Sequence, residues 1–179
     1  IDGAGGPPLG PVDIVIEGDR IAEIRSVGFP MAPINEDRRP QGATREIDVS
    51  GMYILPGLVD MHAHTGGGGK APQAEYTHKL WMGNGITTSR GVGHGPMMWA
   101  LEQKALSERN EIVAPRMFTY ARPGEAWDEG PIDSPEKARE WVRWAAEVEV
   151  DGAKIDGLKL TSYPPAIMEA LNDEAAKHG

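Results

Sequence analysis

The sequence has no cysteine, no long apolar run and no surplus of basic residues. The missing cysteines exclude disulfides, thiolate–metal sites and a cysteine nucleophile, while leaving the compartment open. No stretch approaches the ~18 apolar residues of a membrane span, so no membrane partner is expected. Lys and Arg number 18 against 27 Asp and Glu, a formal net charge of −9. That balance supplies no basic patch for nucleic acid phosphates or an anionic membrane. Ile1-Asp2-Gly3 shows neither an initiator methionine nor the apolar core of a signal peptide. The chain therefore reads as trimmed at its start, with the cytoplasm as the default location.

What is present is ordinary globular material. The 179 residues are 40% hydrophobic and 25% charged, enough for one cored domain with a small appendage. Val12 to Ile24, VDIVIEGDRIAEI, predicts two alternating strands hinged at Glu17-Gly18-Asp19. Residues 26 to 43, with three prolines and no periodicity, predict a loop. A further strand pair is expected over Arg45 to Leu55, turning at Ser50-Gly51. From Pro56 the pattern changes to alternating strands and helices. Strands are expected at Leu58–His62, Ile86–Val92, Arg116–Ala121 and Leu158–Leu160, and helices at Glu75–Met82, Met97–Arg109 and Pro165–Lys177. Ser134 and Pro135 sign the start of another helix, whose Ala138, Trp141, Val142 and Ala145 form one apolar face. Successive βα units imply a parallel sheet with right-handed crossovers. An eight-unit barrel takes roughly 250 residues, so four units make half of one. The expected class is α/β, with residues 1–55 a β layer and 56–179 the first four βα units of a TIM-type barrel.

The chemistry-bearing motif is LPGLVDMHAHTGGGG, residues 55 to 69. On a strand, residues two apart share a face, so His62 and His64 project together. They do so at the C-terminal end of a barrel-type strand, where parallel α/β folds build their sites. Neutral imidazoles suit zinc, nickel, iron or manganese, and Asp60 could support them from one layer deeper. Two polar loop residues remain the plain alternative for a bare His-x-His.

Val12 to Ile24, then Ile47-Asp48-Val49-Ser50-Gly51, then Leu55-Pro56-Gly57-Leu58-Val59-Asp60-Met61-His62-Ala63-His64, together resemble the N-terminal region of the amidohydrolase superfamily. More narrowly, they resemble its imidazolonepropionase and prolidase-like branch. The resemblance implies a small β-sandwich, of which residues 1–55 would be part, flanking a (β/α)8 barrel. It implies that His62 and His64 bind one or two divalent ions, zinc first among them. A lysine ending the fourth strand, often carbamylated by CO2, would bridge them. Histidines ending later strands and a general-base aspartate ending the eighth would complete the site. That base is not among these residues, so the chain reads as an incomplete N-terminal portion.

The fourth-strand segment is DGAKIDGLKL, with Lys154 and Lys159 five apart and hence on opposite faces of one strand. Lys159 leads into Leu160-Thr161-Ser162 at the active-site end and is the favoured bridge; Lys154 belongs with the preceding helix end. Relatives often carry aspartate where Gly91 stands, a departure that removes a polar contact. His94, Tyr120 and Arg122 are candidate substrate contacts, the last two for a carboxylate. His78 reads as a solvent-facing helix residue, His178 as a partner of the last helix's dipole, and Trp141 and Trp144 as packing. The Gly66–Gly69 run followed by Lys70 lacks the Walker spacing and fits a loop at the barrel mouth.

The expected function is metal-dependent hydrolysis of a C–N bond in a small amide, cyclic amide or peptide-like substrate. The alternative is a non-catalytic half-barrel remnant or assembly module. Two bare sheet edges would favour homo-oligomers.

Overall fold

The computed structural model describes residues 1–65 and 74–178. The chain separates into two compact units, Ile1–Pro56 and Gly57–Gly179.

In the first unit, β1 (Val12–Glu17) and β2 (Arg20–Ser26) form the antiparallel hairpin, turning at Gly18 with a bulge at Val15/Ile16. Gly18 takes φ +62°, a left-handed value that glycine adopts without a Cβ penalty. Val27 is buried and tied down twice, its N–H donating to the Pro11 carbonyl and its carbonyl accepting from Asn35. One 3₁₀ turn follows at Glu36–Arg38. The strand pair expected over Arg45 to Leu55 does not form: every residue from 41 to 56 is exposed and none is in a strand. Local bonds compete instead. The Asp48 carboxylate accepts the Ser50 N–H at 2.8 Å, and Met52 N–H donates to Val49 at 3.0 Å, the turn-forming habit of aspartate that opposes a ladder.

The second unit is four successive βα pairs. They run β3 (Leu58–Ala63), α1 (Ala74–Gly83), β4 (Ile86–Gly91), α2 (Met97–Glu108), β5 (Arg116–Ala121), α3 (Pro135–Glu147), β6 (Gly157–Leu158) and α4 (Pro165–Ala175). The strands make one parallel sheet in the order β3-β4-β5-β6. The start of α3 follows the sequence signal closely: the Ser134 hydroxyl accepts the Lys137 N–H, with Pro135 in the first turn. Ala138, Trp141, Val142 and Ala145 are its buried residues. They pack with Met97 and Leu101 of α2 and Ile167, Ala170 and Leu171 of α4 into the main core. On β5 the alternation is plain, with Met117, Thr119 and Ala121 buried while Arg116, Phe118 and Tyr120 are exposed or half-buried. At β5 one face of the sheet is therefore covered by helices and the other is open.

Candidate metal centre

Register assigns the side chains to faces. Ala63 pairs with Gly91 and Gly91 with Thr119. Asp156 joins the same row, its N–H donating to the Thr119 carbonyl at 2.8 Å. Residues in one row of a parallel sheet point the same way, and each step along a strand reverses the direction. This row faces the helices, for Ala63, Gly91 and Thr119 are all buried. His64, Tyr120 and Lys159 stand an odd number of residues from it and belong to the open face, while His62 lies within the register shift between Asp60 and Ala63.

His62 and His64 are both exposed, with ring centroids 5.2 Å apart and planes tilted by 48°. Asp60, half-buried, accepts the His62 backbone N–H at 2.9 Å, so its carboxylate braces the strand that carries the pair. His94 lies in the β4–α2 connection and is only 3% exposed. Its ring fills the space above Gly91, where any Cβ would collide with it. Its carbonyl accepts the Thr65 hydroxyl. Both of its ring nitrogens are buried, with no hydrogen-bond partner among the described residues. Burial, then the neighbouring His78 and His64, push its pKa down to about 4.

Gly93 leaves the space that His64 and Arg122 share. A Cβ there would stand 2.9 Å from His64 Nδ1 and 3.0 Å from an Arg122 guanidinium nitrogen, and Gly93 has φ +142°. Only the absent side chain lets His64 and Arg122 approach the same point. Arg122 is exposed just beyond β5, and its backbone N–H donates to Glu125. The other Glu125 oxygen accepts the Met97 N–H at the start of α2, so one carboxylate couples two mouth loops. Tyr120 sits under the Arg90 guanidinium, 4.9 Å from its ring centroid, and against Gly157, where a Cβ would come within 2.7 Å of the ring.

The two candidate lysines lie at opposite ends of the sheet. Lys159 directly follows β6, its N–H donating to Ala121 at 2.7 Å. Lys154 precedes β6, and its ammonium reaches the Ala146 carbonyl at 3.4 Å and Glu147 at 3.8 Å, at the C-terminal end of α3. His78 departs from expectation. It is fully buried, 5.9 Å from Trp81, which in turn lies 6.1 Å from His94. Desolvation holds its pKa near 4. His178 lies past α4 and stands 4.0 Å from buried Glu174, rather than acting through the helix dipole alone. The Gly66–Gly69 run and Lys70 fall outside the described residues.

Sequence reading missed His78, Gly93 and Glu125. Glu125 gives no local signal, because the N–H it caps is 28 residues away in the chain. Among the described residues no three His, Asp or Glu side chains converge to hold a metal ion. What the described residues do offer is a pair of adjacent exposed imidazoles, a donor set that fits part of a divalent-metal shell.

No protein-family model matches the chain. Adenine deaminase 2 of Agrobacterium fabrum is 40% identical over 53 residues, 30% of this chain and 9% of that protein. A dihydroorotase of Syntrophus aciditrophicus is 35% identical over 75 residues, 42% of this chain and 15% of that one. Among solved structures, an amidohydrolase superposes with TM-score 0.66 at 19% identity over 96% of this chain. A Xaa-Pro dipeptidase with bound methionine does so with TM-score 0.60 at 19% identity over 93%. The chain spans half the length of each of these two structures.

Proposed function

We propose that this chain, which has the sequence and fold likeness of the amidohydrolase superfamily, is the N-terminal portion of a metal-dependent hydrolase of the imidazolonepropionase and prolidase-like branch. Its fold would be the first four βα units of a TIM-type barrel, preceded by part of a β-sandwich. The reaction is hydrolysis of a C–N bond in a small amide, cyclic amide or dipeptide. The observation that carries the reading is the His62–His64 pair, two exposed imidazoles 5.2 Å apart at the C-terminal end of a parallel strand.

In this reading His62 and His64 would hold the ion through imidazole nitrogens, with one or two zinc ions as first choice. When bound, the ion would polarise the scissile carbonyl and acidify water. Lys159 would supply the third donor as a carbamate, its free amine adding to CO2 with formation of an N–C bond and release of a proton. Asp60 keeps the His62 backbone in place. Arg122 offers a cation beside His64 for a substrate carboxylate, and Tyr120 stands on the open face of the sheet; His94, 3% exposed and packed over Gly91, serves as a buried packing group rather than a substrate contact. The carboxylate that takes the water's proton would lie outside these 179 residues.

The test is hydrolysis by the full-length product of the reading frame that encodes these residues, loaded with Zn2+ in bicarbonate buffer. Its substrates are a panel of dipeptides, N-acyl amino acids and cyclic amides. Turnover that disappears in His64→Ala is expected. Turnover untouched by both His62→Ala and His64→Ala would overturn the assignment.

A second reading, a non-catalytic half-barrel or assembly module, draws on edge strand β3, where Leu58, Val59 and Met61 are 60%, 55% and 56% exposed. Exposed apolar residues on an unpaired edge favour association. A concentration-independent monomer by sedimentation would remove that support.

A further inference from the structure

Lys104, in the middle of α2, is a buried cation only 8% exposed. Its ammonium donates to both oxygens of Asp156 at 2.8 Å and to the Lys154 carbonyl at 2.9 Å. Asp156 is engaged twice more with β5: its carboxylate accepts the Thr119 N–H at 2.7 Å, and its own N–H donates to the Thr119 carbonyl at 2.8 Å. Helix α2, strand β5 and the entry to β6 thus meet at one carboxylate.

Beyond this carboxylate the segment is held by the Lys159 N–H to Ala121 bond at 2.7 Å and by Leu158 and Leu160, which pack against the main core. Strand β6 has two residues, paired Tyr120 with Gly157 and Ala121 with Leu158. A slip of one residue would turn every side chain to the opposite face. The sequence adds an ambiguity of its own, since Asp151-Gly152-Ala153-Lys154 nearly repeats Asp156-Gly157-Leu158-Lys159. The two aspartates are distinguished by their partners. Asp151 is 65% exposed at its side chain and lies 3.5 Å from Arg109, whereas Asp156 alone receives the buried Lys104 ammonium.

We infer that Lys104 and Asp156 are positioning residues that lock the register of β6 and so select Lys159, rather than Lys154, for presentation on the open face of the sheet. This inference rests on the role proposed for Lys159, yet the register itself can be measured without metal. Removing Asp156 leaves Lys104 a buried unpaired cation. Removing both charges together avoids that penalty and isolates the loss of the clamp.

The experiment is competitive trace labelling of lysine amines in the folded chain, read by mass spectrometry as the ratio of Lys159 to Lys154 modification. The variants are Lys104→Met, Asp156→Asn and the double variant. The control is Ser107→Ala, which loses a 2.9 Å hydrogen bond to Pro115 at the same helix–strand junction without touching the clamp. The clamp predicts a ratio altered by about tenfold in the clamp variants, including the double variant, and unchanged in the control. A ratio within about twofold of the parent in the folded double variant, or an equal change in Ser107→Ala, would overturn it. Failure of the Lys159 role shows separately, as no carbamate resonance from 13C-bicarbonate on that side chain, while the labelling ratio still reports the register.

Discussion

Acidification should destabilise the second unit through His78. The imidazole is fully buried, and neither ring nitrogen has a hydrogen-bond partner among the described residues. Desolvation lowers its pKa from 6.5 to about 4. The folded protein therefore keeps His78 neutral where the unfolded chain has already taken up a proton. Stability from this group is complete above pH 6.5, falls as pH drops, and stops falling near pH 4, where both states are protonated. At about 1.4 kcal/mol for each pH unit between the two values, the loss is on the order of 3 kcal/mol at most. Urea unfolding at pH 7.5, 6, 5 and 4.5 measures it. Replacement by a shape-matched apolar residue, His78→Leu, also removes two unpaired buried nitrogens, so the variant should match or exceed the parent at pH 7.5 and lose less stability on acidification. Parallel pH profiles for parent and variant would refute the reasoning.

Gly91→Ala should destabilise by about 1–3 kcal/mol, because the new methyl group takes the space of the His94 ring. Combining it with His94→Gly should recover part of that loss, read from urea midpoints. Ser134→Ala should cost about 1 kcal/mol by removing the acceptor for the Lys137 N–H, with no change in metal affinity. Gly93→Ala should weaken metal and anion binding together, since its Cβ would crowd both His64 and Arg122; isothermal titration with Zn2+ and with a small carboxylate separates the two effects.

The parts of the fold legible from sequence are those whose signals are local. Helix α3 carries its cap, its first-turn proline and its apolar face within twelve consecutive residues, Ser134 to Ala145, and all act as read. The separation of Lys154 from Lys159 followed from strand parity and from the loop beyond residue 160. The strand pair over Arg45 to Leu55 was misread because Ile47 and Val49 alternate as a strand does, while Asp48 prefers its own turn with Ser50. His78 was misread because polarity says little about a histidine whose helix turns it toward Trp81. The Glu125 bridge and the Lys104–Asp156 clamp join residues 28 and 52 apart in sequence. Such pairs are brought together only by the sheet order, which no local pattern records.

The central claim is that His62 and His64 grip a metal, with Lys159 as third donor. Metal content per chain, measured after purification without chelator in bicarbonate buffer and dialysis against metal-free buffer, addresses it most directly. The account predicts about one tightly held divalent ion per chain, lost in His62→Ala and in His64→Ala and weakened in Lys159→Met. Metal content that is the same in the parent and all three variants would contradict it.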